Sequence, residues 1–294
     1  MTPPAGTAGQ DGPVSEALPG VVRRDLDTPA GPIALIEADG GAGAPAVLVP
    51  GYTGSKEDFA LILAALAGTG RRVAAMDQRG QFESPGPDDP AAYTVDALAA
   101  DVRTVAADLT GPGGRPVHLL GHSFGGLVTR AAVLADPAAV SSLVLLGSGP
   151  AAIGGERRST MEALRPLLLG GGMVAVYARL ELLAAGDAKT VNQPPELKEF
   201  LRRRFLASSP FGLQGMGEAL SGEPDRVQAL RDTGVPVLVA YGESDDSWSP
   251  AVQAEMAARL GARHVVVPAA AHSPAVENPL VTIRVLADFW SAVE

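Results

Sequence analysis

Ser123 lies in Gly121-His122-Ser123-Phe124-Gly125-Gly126, directly after the apolar run Val117-His118-Leu119-Leu120 and directly before a segment of helical period. A hydroxyl held on a tight strand-to-helix turn sits on strained backbone, and small flanking residues let neighbouring chain approach closely, so the side chain is pushed outward as a nucleophile. The helix N-terminus behind it supplies unpaired N–H groups and the positive end of a dipole, both of which favour a developing anion. Taking the proton from serine near neutrality needs a base whose pKa lies near the working pH, which selects histidine. Four histidines are present. His118 falls inside a predicted buried strand, His122 is the variable residue of the turn and is expected to point away from the nucleophile, and His264 opens a strand. His272 alone sits in a loop, Ala269-Ala270-Ala271-His272-Ser273-Pro274, between the last predicted strand and the last predicted helix.

Groups so distant in the chain need a scaffold that gathers loops at one edge. Short apolar runs alternate with segments of helical period, the pattern that builds a mostly parallel central sheet of about eight strands flanked by helices. Val21 to Asp27 and Ile33 to Ala38 read as an antiparallel pair joined through Thr28-Pro29-Ala30-Gly31-Pro32. Further strands are expected at Ala46 to Val49, Arg72 to Met76, Val117 to Leu120, Val140 to Leu146, Val235 to Ala240 and His264 to Val267. Helices are expected at Lys56 to Ala67, Thr94 to Leu109, Gly125 to Ala135, Ala251 to Leu260 and Pro279 to Ala292. Between Ser148 and about Thr233 no strand is legible. Met161 to Leu169, Met173 to Ala185, Pro195 to Leu206 and Asp225 to Asp232 read there as helices, broken by Gly170-Gly171-Gly172, Asn192-Gln193-Pro194 and Ser208-Ser209-Pro210. The expected organisation is a tail over 1–20, a core formed by 21–147 and 234–294, and a helical cap insertion over 148–233.

Composition narrows the classes of function. The chain has 294 residues, 46% of them hydrophobic, enough for a large core. A formal net charge of −10 and a pI near 4.9 leave no positive field for phosphates, which argues against nucleic-acid binding. Zero cysteines exclude disulfides, a thiol nucleophile and thiolate metal sites. The first twenty residues, rich in Pro, Gly and Ala, have neither the basic nor the apolar segment of a secretory signal, so a flexible tail and a cytoplasmic location are expected. None of the apolar strand-like runs is long enough to span a bilayer, and no membrane partner is expected.

The turn around Ser123 resembles the nucleophile turn of the α/β-hydrolase family, and the resemblance extends from about Val21 to the C-terminus. Val47-Leu48-Val49-Pro50-Gly51-Tyr52-Thr53-Gly54-Ser55 is similar to the strand and loop that form half of that family's oxyanion hole. The resemblance implies that the backbone N–H groups of Tyr52 and Phe124 hold the oxyanion, although Pro50 stands where histidine is usual. Asp77-Gln78-Arg79-Gly80-Gln81-Phe82-Glu83-Ser84 resembles the family's Asp-x-Arg-Gly-x-Gly-x-Ser loop, with Phe82 in place of glycine, and implies structural roles for Asp77 and Arg79. The chain order serine, acid, histidine of the family fits His272 as base. The acid should then lie in Tyr241-Gly242-Glu243-Ser244-Asp245-Asp246. The family spacing Gly-x-x-Asp points to Asp245, with Asp246 as its competitor. Glu277-Asn278-Pro279 resembles the segment that opens the final helix and implies a structural role.

The implied chemistry is acyl transfer to water. Ser123 attacks a carbonyl, His272 takes its proton, the aspartate holds the imidazole and two N–H groups stabilise the tetrahedral oxyanion. An ester, lactone or thioester of a small hydrophobic molecule is the expected substrate, with Met161, Tyr177, Phe211 and Met216 of the insertion as expected pocket residues. No metal or organic cofactor is implied, since the motifs that hold zinc, nucleotide phosphates or dinucleotides are missing from the sequence. Three alternatives use the same scaffold: a C–C hydrolase or lyase, a perhydrolase, and a slow-turnover ligand receptor. The menaquinone-pathway lyases of this fold tend to carry an arginine just after the turn's glycines, where this chain has Leu127.

Overall fold

The computed structural model describes residues 19–186 and 192–294, so nearly all of the expected N-terminal tail lies outside the described residues. The expected sheet is present, with eight strands. They are β1 (Val22–Thr28), β2 (Gly31–Asp39), β3 (Gly43–Val49), β4 (Arg71–Met76), β5 (Val117–His122), β6 (Val140–Leu146), β7 (Val237–Gly242) and β8 (Arg263–Val267). Their order across the sheet is β1-β2-β4-β3-β5-β6-β7-β8, with β2 antiparallel to both of its neighbours and the later strands parallel. Thr28 pairs with Gly31, so the first connection is a tight Pro29-Ala30 turn rather than the longer one expected.

Alternation along each parallel strand divides the core between the two faces of the sheet. Val47, Val49, Leu119, Leu143, Leu145, Val239 and Tyr241 pack with α2 (Val95–Thr110), α3 (Phe124–Ala135) and α8 (Pro250–Leu260). Ala46, Leu48, Leu120, Val144, Leu146, Leu238 and Ala240 pack on the other face with α1 (Ala60–Ala67) and α10 (Pro279–Val293), where Phe289 and Trp290 are buried. The chain leaves β3 through α1 to reach β4 on one side, then crosses by α2 on the opposite face to β5 on the other side of β3. That reversal makes the carboxyl ends of β3 and β5 a topological switch point, where parallel sheets leave a crevice for ligands.

Between β6 and β7 the chain is helical among the described residues: α4 (Gly155–Ala184), α5 (Pro195–Ala207), α6 (Pro210–Gly222) and α7 (Val227–Asp232). The two helices expected on either side of the Gly170-Gly171-Gly172 break form α4, interrupted where Gly172 adopts φ 64°, ψ −162°. An 18-residue window of α4 has mean hydropathy 1.6, long and apolar enough in composition to cross a bilayer, but the interruption leaves no straight rod. α6 was not expected from the sequence. Its start carries the usual signals, Ser209 accepting from the Gly212 N–H and Pro210 in the first turn, but its four glycines depress helix propensity. Contact explains two of them: a Cβ on Gly215 would fall 2.2 Å from Pro90 O, and one on Gly217 2.8 Å from the Tyr52 hydroxyl.

Candidate active site

Ser123 occupies the turn between β5 and α3 with φ 53° and ψ −122°, a conformation that costs free energy in a non-glycine residue and persists because its surroundings fix it. Its N–H donates to Leu146 O at 2.9 Å, and its carbonyl accepts from the Gly126 N–H at 2.9 Å. The adjoining glycine follows from close packing of β3 on the turn, since a Cβ on Gly125 would lie 2.4 Å from Val49 O and 2.5 Å from Pro50 O. The local sequence therefore does two things at once: it bends the chain sharply and lets the loop after β3 come alongside.

His272 follows β8 in the loop before α9 (Pro274–Glu277). Its Nε2 lies 2.9 Å from Ser123 Oγ and its Nδ1 3.0 Å from Asp245 Oδ1. A carboxylate only accepts, so Nδ1 carries the proton and Nε2 is left to accept from the serine hydroxyl. Asp245 is buried and accepts further from the Ser247 N–H at Oδ1 (2.9 Å) and from Gln253 Nε2 at Oδ2 (2.9 Å). Asp246 turns away to the surface and pairs with Arg157 of α4 at 2.7 Å, both side chains about half exposed or more (65% and 49%). Of the two sequence candidates, the geometry joins Asp245 to His272 and leaves Asp246 in a different contact. Glu277, read from the sequence as the start of the final helix, also holds the histidine loop: its Oε2 accepts from the N–H groups of Ala271 and Ser273, either side of His272.

The loop after β3 faces the turn. No hydrogen bond within the described residues takes up the N–H of Tyr52 or Phe124, the two groups implied as oxyanion donors. The Tyr52 hydroxyl donates to Leu213 O of α6 at 2.7 Å, and burial pushes the phenol well above its ordinary pKa. From the other side, Gln78 Nε2 donates to Pro50 O (2.9 Å), and Gln81 Nε2 donates to Gly51 O (2.7 Å) and Tyr52 O (3.2 Å). The 77–84 loop is itself anchored by Lys56, whose buried ammonium meets Asp77 and Glu57 at 2.9 Å and Glu83 at 2.8 Å. Arg79 pairs with Asp101 through two contacts of 2.6 Å, away from the serine, in keeping with a structural role.

A cavity of about 760 Å³ opens over Ser123 and His272 beneath α4, α5 and α6. Met161, Leu164, Leu168, Val176, Phe205 and Leu213 give it apolar walls, while Arg158–Glu162 and Arg165–Glu218 ion pairs stand among its polar lining. Of the four expected pocket residues only Met161 is among those lining it. Tyr177 packs on Phe205 at 5.6 Å within the insertion's own cluster, and Phe211 and Met216 pack into the main core. Helical spacing alone does not separate the face toward the cavity from the face toward the sheet. The expectation for His122 is also corrected. Its ring lies 4.9 Å from that of His272, and its Nε2 is 2.8 Å from His272 O. Burial first, and then the neighbouring His272, lower its pKa to about 4, so it is neutral near pH 7 and donates to that carbonyl.

Comparison with known proteins agrees with this architecture. The sequence model of the alpha/beta hydrolase family matches residues 46–285. A non-heme haloperoxidase of Rhodococcus erythropolis is 30% identical over 269 residues, covering 87% of this chain and 94% of that protein. A putative 2-succinyl-6-hydroxy-2,4-cyclohexadiene-1-carboxylate synthase of Bacillus subtilis is 25% identical over 254 residues, 84% of this chain and 90% of that one. Among solved structures, a hydrolase from Pseudomonas aeruginosa superposes with TM-score 0.76 at 25% identity, covering 91% of this chain and 97% of that chain. A match that runs from β3 into the final helix, beside a relative 30% identical over most of both chains, leaves one assignment: the chain belongs to the alpha/beta hydrolase family.

Proposed function

We propose that this protein is a serine hydrolase that cleaves an ester-type bond of an apolar substrate, by way of an acyl-enzyme on Ser123. The observation that carries the reading is the continuous relay from Ser123 Oγ through His272 to buried Asp245, with Ser123 and His272 lining a cavity that has apolar walls. Ser123 Oγ attacks the substrate carbonyl carbon while His272 Nε2 takes its proton, and the carbonyl electron pair moves to oxygen, where the Tyr52 and Phe124 N–H groups receive it. Collapse of this adduct expels the alcohol, which leaves with the proton from Nε2. Water then repeats the attack on the acyl-enzyme with His272 again as base, releasing the acid and free Ser123. Asp245 holds the imidazole by its Nδ1 and stabilises the imidazolium formed in each half.

Residues 148–233 act in this reading as a roof on a core formed by 21–147 and 234–294, and select the substrate through Met161 and its apolar neighbours. A lyase reading gains no support at Leu127, which is buried in the core where those lyases tend to carry a cation. The test is a panel of esters, lactones and thioesters run beside Ser123→Ala, with fluorophosphonate labelling of both proteins. The expected result is turnover and labelling of the wild type and neither in the variant, with the fold retained. Steady turnover by Ser123→Ala overturns the proposal.

A further inference from the structure

We infer that Gln81, assisted by Gln78, is a positioning residue for the oxyanion hole, aiming the Tyr52 N–H by gripping the far side of the same peptide. The inference rests on the hydrolase reading above. It starts from planarity: the carbonyl of Gly51 and the N–H of Tyr52 belong to one trans peptide, so they point in opposite directions and cannot turn independently. Gln81 Nε2 meets Gly51 O at 2.7 Å, and the Gly54 N–H meets the same oxygen at 3.1 Å, which fills both of its acceptor directions. The direction of the Tyr52 N–H is thereby set from behind. The next peptide is held in the same way by the 3.2 Å contact from Gln81 Nε2 to Tyr52 O, and the preceding one by Gln78 at Pro50 O.

The orientation of the Gln81 amide is itself fixed. Its Oε1 accepts from the Gln78 N–H at 3.0 Å, so its Nε2 must face the loop carbonyls. Both glutamine side chains are buried, at 1% and 2% exposure, and competing water is excluded. Gln78 grips the peptide that carries the Gly51 N–H, one step removed from the proposed oxyanion donor, and should matter less. This arrangement accompanies Pro50, which has no side-chain donor with which to hold the loop from within. Preorganised donors stabilise a developing anion because they need not turn as charge appears. A loop released from Gln81 must pay that reorientation on each turnover, and the loss falls on the transition state rather than on substrate binding.

Two variants test this. Gln81→Glu keeps the shape but replaces the donor by an acceptor facing a carbonyl, and Gln81→Met keeps length and volume while removing the donor, so that one reports if the other does not fold. A trifluoromethyl ketone that adds to Ser123 serves as oxyanion probe, with KM for an ester as the ground-state comparison. The expected result is a fall in kcat of about 10- to 100-fold, below the full loss of an oxyanion donor, with KM changed less than about threefold. The ketone should weaken by the same factor as kcat/KM, and Gln78→Met should show a smaller version of the same pattern. A rise in KM with kcat unchanged, or kcat and ketone affinity both within about twofold of wild type, overturns the inference. Ser123→Ala is run alongside: activity surviving there removes the hydrolase reading itself, whereas its loss beside an unaffected Gln81 variant removes only the role of Gln81.

Discussion

Replacing Asp245 by asparagine should be far more damaging than the same change at Asp246, and the contacts of each carboxylate give the size of the difference. Asp245 Oδ1 accepts from both His272 Nδ1 and the Ser247 N–H, and Oδ2 accepts from Gln253 Nε2. An asparagine with its NH2 toward His272 meets two donors, and drives the imidazole into the tautomer whose Nε2 bears a proton and cannot take one from serine. With its NH2 toward Gln253 it meets another donor. Gln253 cannot simply turn over, because the same Nε2 also donates to Trp248 O at 2.7 Å, and leaving that buried carbonyl unmet costs about 1–3 kcal/mol. In either arrangement the imidazolium loses its counter-charge. The wrong-tautomer outcome corresponds to a loss in kcat of about 10⁴, and the milder one to at least about 10². Asp246 gives up a surface ion pair with Arg157, worth about 0–1 kcal/mol, or less than about fivefold. Steady-state hydrolysis of a chromogenic ester by the two variants, each checked to be folded at the assay temperature, measures both numbers. A larger loss at Asp246 than at Asp245 refutes the reasoning.

Three further outcomes are expected. His122, held at about 4 by burial, binds its proton in the unfolded chain before the folded one, so stability should fall as pH drops from about 6.5 to about 4, by about 3 kcal/mol from this group; urea unfolding of wild type and His122→Gln across that window should show a shallower fall in the variant. Lys56→Met should destabilise by about 3–5 kcal/mol, because Asp77, Glu57 and Glu83 lose the buried ammonium they share, and differential scanning calorimetry would expose an unchanged melting temperature. Leu168→Trp, which fills the cavity, should shorten the preferred acyl chain in a kcat/KM series, whereas Met216→Leu, a near volume-conserving change in the core, should leave the preference alone; equal preference in both variants would detach the cavity from substrate choice.

The site was legible in the sequence to the extent that its chemistry is local. Gly121 to Gly126 announces the turn because a strand, a serine and a helix must follow one another there, and His272 is the histidine placed in a loop between an end strand and an end helix. The boundaries of the strands shifted by up to three residues, as at β7, where the Thr233 hydroxyl holds the Val235 N–H and pairing begins only at Val237. What sequence did not disclose is everything decided by packing between segments far apart. The glycines of α6 look like a loop until Pro90 is seen against Gly215 and Tyr52 against Gly217. Gln253, which holds Asp245, has no local signal, since a glutamine on a helix is ordinary, and the resemblance that marked Glu277 as structural did not disclose its hold on the His272 loop. The insertion's apolar residues could be listed but not sorted, because helical spacing does not tell a face on the cavity from one on the core or on solvent, where Leu169, Val174 and Leu182 lie.

The hydroxyl bridge from Tyr52 to Leu213 bears on how this scaffold can be re-engineered. Exchange of the whole insertion for that of another family member is an attractive route to new specificity, as though the two parts were interchangeable modules. Here the loop after β3 and the roof share a tether, and the 77–84 loop behind it adds two more, between the Ser209 N–H and Gly80 O and between the Phe82 N–H and the Ser208 hydroxyl. A chimera that takes the whole foreign insertion will inherit a foreign backbone at 208–213 and with it a displaced loop after β3. Its turnover number will drop along with the change in selectivity, unless the graft boundary is drawn to retain the native segment from Ser208 to Leu213.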